Sequence, residues 1–130
     1  VVSRLERRGL RFAAMKLMAV SDALAAQHYG EHKGKPFYEG LVSFITSGPI
    51  VAAVIEGENA VELVRATIGA TDPRDSDAGT IRGDLAVSIG QNLVHGSDSE
   101  ESAVREISLF FSADEIVDYT RDIDRWITEA

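Results

Sequence analysis

Cysteine is absent from the chain. That excludes disulfides, thiolate metal centres and a thiol nucleophile. Proline is sparse: Pro36, Pro49 and Pro73 stand far apart, so each marks a boundary and none belongs to a proline-rich linker. Lysine is limited to Lys16, Lys33 and Lys35, and arginine carries most of the positive charge. The net charge of −8 leaves no basic surplus for general nucleic-acid binding. An anionic ligand would need a local cationic pocket set against the overall field. No apolar run approaches the roughly 20 residues of a membrane-spanning helix, and no signal peptide is visible. These absences point to a cytoplasmic protein with neither membrane nor specific nucleic acid among its partners. No repeat or low-complexity tract is present.

What is there has the composition of an ordinary globular domain. The 130 residues, 45% hydrophobic and 26% charged, are enough for one core, and residues 1–130 read as one domain. Residues 1–8 have the spacing of the end of an amphipathic helix, with Val1, Val2 and Leu5 on one side and Gly9 as the stop. Residues 10–20 read as a strand. Ser21 caps a helix over residues 22–29. The segment 30–36 holds Gly30, Gly34 and Lys35, but it is no phosphate loop. The glycines are one residue too close, no Ser or Thr follows Lys35, and no strand precedes it. Pro36 opens a helix carrying Phe37, Leu41, Phe44 and Ile45, and Gly48-Pro49 closes it.

Residues 50–55 form a continuous β-branched and alanine run, the pattern of a fully buried strand. Asn59 is expected to cap a helix whose apolar face is Val61, Val64 and Ile68, with Arg65 turned toward a pocket rim. Residues 69–80 form one long irregular segment, a length that is usually functional or mobile. Residues 80–84 read as a short turn. Asp98 with Glu101 opens a helix that carries Ala103, Ile107 and Phe110 inward. Ser112 with Glu115 opens another. Tyr119, Ile123 and Trp126 read as apolar anchors in an acidic tail.

The centre of the pattern is Asn92-Leu93-Val94-His95-Gly96-Ser97-Asp98-Ser99. Leu93-Val94 reads as the end of a buried strand delivering His95 to a polar turn. Gly96 removes a side chain beside the imidazole and so allows close approach by a ligand. Alone, such a histidine is more often a satisfied residue at the rim of a core. Strand alternation would also turn Asn92 and His95 to opposite faces, so one pocket for both requires a bend or bulge.

This stretch, preceded by Gly79-Thr80-Ile81-Arg82-Gly83-Asp84, resembles the signature of nucleoside diphosphate kinases. The resemblance extends over the chain and implies a ping-pong transfer from a nucleoside triphosphate to a nucleoside diphosphate through phosphorylated His95. It implies that Glu106 and Ser97 support His95. It also implies that Arg65, Arg82 and Thr71 bind phosphates, Asn92 lies near the sugar hydroxyl, Phe37 stacks on the base, and Tyr29 stands near the histidine. A neutral imidazole is a competent nucleophile, and arginine forks match phosphate oxygens. No carboxylate cage for a metal is evident, so Mg2+ is expected to ride on the nucleotide phosphates of ATP. Gln91 stands where many relatives have arginine, and Ala78 where many have proline.

The resemblance implies an α+β, ferredoxin-like antiparallel sheet with helices. It starts inside the family's first helix, and the opening strand with its Lys-Pro-Asp motif has no counterpart in the sequence. The sheet is therefore expected to lack its first, central strand. Residues 10–20 would pair with 50–55, a gap would lie beside 50–55, and the histidine strand would be short or unpaired. The pocket would be open where the family places its lysine. The tail resembles those of hexameric relatives, so a homo-hexamer is expected, or else a tetramer, with residues 69–79 at a subunit contact. The alternative is a non-catalytic relative acting in nucleotide binding or assembly. A helical-bundle phosphorelay domain is disfavoured by the strand pattern and by Gly96.

Overall fold

Gly9, at φ +96, ends helix α1 (Val2–Arg7) and turns the chain into strand β1 (Arg11–Met18). A computed structural model describes residues 1–129. Strand β1 pairs antiparallel with β2 (Ile50–Glu56), Arg11 opposite Glu56 and Met18 opposite Ile50. The register slips between Phe12 and Ala14. That bulge puts two successive small residues, Ala13 and Ala14, into the core. The Ala13 carbonyl accepts the Val117 N–H at 2.8 Å, so the bulged residue is satisfied from the tail. Ala13, Ala14, Val54 and Phe111 form the core cluster, with Ile107 and Phe110 of helix α6 (Glu100–Phe110) packed against it.

Among the described residues this two-stranded ladder is the only sheet. Strand β2 and the histidine segment both depart from expectation. Strand β2 is not fully buried: Val54 is, but Val51 is 60% exposed. The run is apolar on both faces, yet only one face has a helix layer to cover it. Residues 92–95 form no strand either, and the nearest pairing is an isolated bridge between Ser88 and Gln91. They do not pair with β2, and the second edge of β2 carries no strand among the described residues.

The remaining helices are placed by short polar signals. Ser21 Oγ accepts the Leu24 N–H at 3.1 Å and starts α2 (Asp22–His28). Helix α3 (Tyr38–Ile45) begins just after Phe37, and α4 (Ala60–Ile68) after Asn59. Asn59 caps by backbone and not by side chain: it sits at φ 55, its carbonyl accepts the Leu63 N–H at 3.0 Å, and its side chain accepts no bond from the helix. Asparagine tolerates that left-handed conformation better than most residues. The stretch read as a turn is helix α5 (Ile81–Leu85), because Thr80 Oγ1 accepts the Gly83 N–H at 3.0 Å. Gly83 is required here, since a Cβ would lie 2.1 Å from the Asp77 carbonyl oxygen. The cap of α6 is Ser99, one residue after the expected Asp98. Short 3-10 helices occupy Gly30–His32, Pro73–Asp75, Ala113–Glu115 and Asp122–Trp126.

The tail anchors also differ from expectation. Tyr119 is an anchor, its hydroxyl donating to the Phe12 carbonyl at 2.6 Å. Ile123 and Trp126 are 54% and 79% exposed. Their place is taken by Arg121, which donates to the carbonyls of Leu10 and Gly9.

Candidate active site

His95 lies between helices α2, α4 and α6. Its Nε2 is 3.0 Å from Glu106 Oε2, and its side chain is 55% exposed. An ionised carboxylate only accepts, so Nε2 carries the hydrogen and Nδ1 presents a free lone pair. Ser97 Oγ donates to the same Glu106 oxygen at 2.9 Å. Burial alone would raise the Glu106 carboxyl. The hydrogen bond and charge of His95, with the Ser97 bond, outweigh burial and hold it below the usual carboxylate value. Glu106 therefore stays anionic at neutral pH and fixes one tautomer of His95.

The bend required between Asn92 and His95 is Leu93. It adopts φ +73, and the Val94 N–H closes onto the Asn92 carbonyl at 2.9 Å, a three-residue γ-turn. The expected strand end is thus replaced by a strained turn, and Leu93 is 57% exposed. The physical reason is Arg82. Its Nε donates to the Asn92 carbonyl at 3.3 Å and its Nη2 to the Val94 carbonyl. The acceptors that a neighbouring strand would use are held by one guanidinium. Nη1 of Arg82 donates to the carbonyls of Gly69 and Ala70, at 3.2 and 3.4 Å. Arg82 is 6% exposed. Burial first, and then the charge of Arg65, lower its pKa from the ordinary arginine value. Of its five N–H groups, these four bonds leave one on Nη2 for a ligand.

Arg65 is more available. It is exposed, and its Nη1 donates to the Gly96 carbonyl at 3.0 Å. The two arginines are close enough to feel each other's charge, a pairing suited to a polyanion. Gly96 does not clear space for a ligand as the sequence suggested. A Cβ there would meet Ile68 Cδ1 at 3.0 Å and Val64 Cγ1 at 3.5 Å, so the missing side chain lets the histidine segment lie on α4. Asn92 Nδ2 donates to the Thr71 carbonyl at 2.9 Å, tying the long loop to the same segment. Thr71 is exposed. Asp98 lies at the surface, its carboxyl lowered chiefly by the Ser102 hydroxyl.

His28 was not singled out by the sequence. It is 6% exposed, and its ring meets His95 edge-on, at 5.0 Å and 84°. Burial first and then His95 push its pKa below the usual imidazole value. A histidine in the last turn of a helix has no distinguishing local pattern, so the only signal was its place next to Tyr29. The Tyr29 ring lies 4.5 Å from His28, and burial raises its hydroxyl above the usual value. Phe37 does not touch His95. It is 51% exposed and meets His32 at 5.2 Å. Rings thus continue from His95 through His28, Tyr29 and His32 to Phe37.

The donor set does not fit the resident magnesium ion that a carboxylate cage would hold. Among the described residues the one cluster able to hold an ion is His28, His95 and Glu106. Two imidazoles are poor partners for a hard oxygen-seeking cation. The residues around Arg65 and Arg82 supply positive charge, so they fit phosphates and not a resident Mg2+. Two surface grooves, one at Phe12 and Tyr119 and one at Asn59 and Asp98, do not include His95. No helix among the described residues is long and apolar enough to cross a membrane.

The nucleoside diphosphate kinase family model matches residues 1–116. The chain is 61% identical over 127 residues to a nucleoside diphosphate kinase of Thermomicrobium roseum, covering 98% of this chain and 85% of that one. It is 53% identical over 129 residues to one from Archaeoglobus fulgidus, covering 99% and 85%. Its fold superposes with a TM-score of 0.96 on a halophilic nucleoside diphosphate kinase from Halobacterium salinarum in complex with CDP, at 52% identity, covering 98% and 86%. A nucleoside diphosphate kinase family protein from Babesia bovis gives a TM-score of 0.94 at 41% identity, with the same coverage.

Proposed function

Because this chain belongs to the nucleoside diphosphate kinase family, we propose that it moves the γ-phosphoryl group of a nucleoside triphosphate to a nucleoside diphosphate by way of His95. The observation that carries this is the His95–Glu106 bond at 3.0 Å. It holds the hydrogen on Nε2 and leaves Nδ1 as the nucleophile on an exposed ring.

The Nδ1 lone pair attacks the γ-phosphorus, the bond to the β–γ bridging oxygen breaks, and the diphosphate leaves with that electron pair. The ring becomes a phosphorylated imidazolium, and the Glu106 carboxylate stabilises its charge through the unchanged Nε2–H. A second diphosphate then takes the phosphoryl group in the reverse sense. Phosphoryl transfer depends mainly on positioning and charge stabilisation. Arg65 and the remaining Arg82 N–H are assigned to the phosphates, with the Thr71 hydroxyl. Asn92 is assigned to the sugar and the exposed Phe37 face to the base. Stacking without base-edge bonds would accept any base. The CDP bound by the Halobacterium relative supports nucleotide occupancy of this surface. Mg2+ enters as part of the nucleotide substrate.

A homo-hexamer in the cytoplasm completes the assignment. Association is supported by apolar side chains left exposed on the sheet, Met15, Leu17 and Val51 at 48%, 74% and 60%, and by the exposed Trp126. Light scattering should report a multiple of the monomer mass, and a monomer at micromolar concentration would refute this. The catalytic assignment is tested by incubation with γ-labelled ATP. Acid-labile, base-stable label mapping to His95 is expected. Label on His28 or His32, or no label, would reject it.

A further inference from the structure

We propose that His28, His95 and Glu106 form a binding site for a divalent transition ion of the zinc class, and that this ion and the phosphoryl group exclude one another at His95. The exclusion rests on His95 being the nucleophile; the binding does not.

One donor atom from each residue lies within 4.8 Å of the other two. A second observation is independent of that spacing. Residue His28 is 94% buried, and its Nδ1 has no hydrogen-bond partner. Buried polar nitrogens are normally satisfied, so an unpaired one on a ring that offers a donor within reach of two others marks a place where something binds. Two imidazoles and a carboxylate are the donor set of open zinc centres, in which water completes the tetrahedron. Donors around tetrahedral zinc stand roughly 3.3 Å apart. His95 Nε2 and Glu106 Oε2 are already at 3.0 Å. His28 has at most about 1.5 Å to close, starting from the 4.8 Å limit. Magnesium does not compete, because it prefers all-oxygen shells.

The ion replaces the hydrogen on His95 Nε2, which leaves to solvent as a proton. Glu106 then ligates the ion and no longer accepts from His95. The bound cation withdraws electron density from the ring, so Nδ1 becomes a weaker nucleophile. In the opposite direction, a phosphorylated imidazolium keeps its Nε2–H and has no lone pair for a metal. The same three side chains thus hold either a proton relay or an ion.

The test uses the full chain without nucleotide, titrated with Zn2+ against a chromophoric chelator. One ion per chain is expected, at micromolar affinity or tighter. His28→Gln and Glu106→Gln should each weaken it at least about tenfold, while His32→Gln should not. Circular dichroism checks that each variant folds. Should His28→Gln fail to fold, Co2+ on the unmodified chain decides. A visible band of tetrahedral cobalt is expected, and it should disappear after phosphorylation by ATP and removal of nucleotide. Absence of stoichiometric zinc, unchanged affinity in a folded His28→Gln, or absence of the cobalt band would overturn the site. A zinc-loaded chain that forms phosphohistidine at the normal rate would overturn the exclusion. Failure of phosphorylation without zinc would reject the kinase assignment and leave the zinc titration to stand on its own.

Discussion

Glu106 Oε2 stands 3.0 Å from His95 Nε2 and receives Ser97 Oγ at 2.9 Å on the same oxygen. Glu106→Gln keeps an acceptor but removes the charge that balances the phosphorylated ring. It should lower kcat about 10- to 100-fold with a smaller change in KM. Ser97→Ala removes only one donor and should cost less. Steady-state kinetics with ATP and a nucleoside diphosphate would decide, and a larger effect for Ser97→Ala would contradict the ordering.

Arg82 should not tolerate lysine. A single ammonium cannot reach the carbonyls of Gly69, Ala70, Asn92 and Val94 together, as the guanidinium does. Arg82→Lys should destabilise the fold by about 2–4 kcal/mol and reduce activity as well. Urea denaturation showing unchanged stability would mean that these bonds contribute nothing net.

Gly83→Ala is expected to be among the costliest small substitutions. Its Cβ would fall 2.1 Å from a backbone oxygen, which cannot rotate away. A loss of about 2 kcal/mol or more follows. A melting temperature equal to the parent's would refute it.

Leu93 holds a positive φ that glycine adopts freely. Relief of strain should offset the added chain entropy, so Leu93→Gly should change stability by less than about 1 kcal/mol. Leu93→Ile should cost more, because a β-branched residue fits this conformation worse. Chemical denaturation with the reverse order would rule out strain at the turn.

Glu115 carries a pH signature. Its carboxyl is drawn from 4.5 to about 2 by the Ser112 N–H, then by Lys16 and the Ser112 hydroxyl. A lowered folded-state pKa means the ionised form is preferred on folding. The stabilisation is complete above pH 4.5 and is lost as pH falls toward 2. Glu115→Gln should therefore lower the melting temperature at pH 7, and the difference should shrink as pH falls through about 2 and vanish below it. A difference that persists there would exclude this linkage.

The chain's local signals were legible where a single residue sets the geometry. Ser21, Gly9 and the Ser112–Glu115 box act as the sequence suggested, because caps and stops are decided within a few residues. The pairing of β1 with β2 followed from two apolar runs set in the strand order that the family resemblance implies. Burial of β2 was not, since an apolar residue does not reveal whether anything covers it. The histidine segment looked like a strand because Leu93 and Val94 are apolar. Its actual shape is set by Arg82, ten residues before Asn92, which no periodicity connects to it. His28 and Arg121 were missed for the same reason: both act through tertiary contacts that leave no local pattern.

Arg82 recognises carbonyl oxygens, and every amino acid has one. The side chains at residues 70 and 94 are therefore invisible to it, and drift at those positions leaves the clasp intact. Drift at Arg82 itself would release the long loop and the histidine turn at once. Evolutionary freedom in this part of the fold is thus divided unequally. Arg82 carries most of the constraint for both segments, the Asn92 side chain adds a second tie through the Thr71 carbonyl, and residues 70 and 94 can change side chain without loosening either.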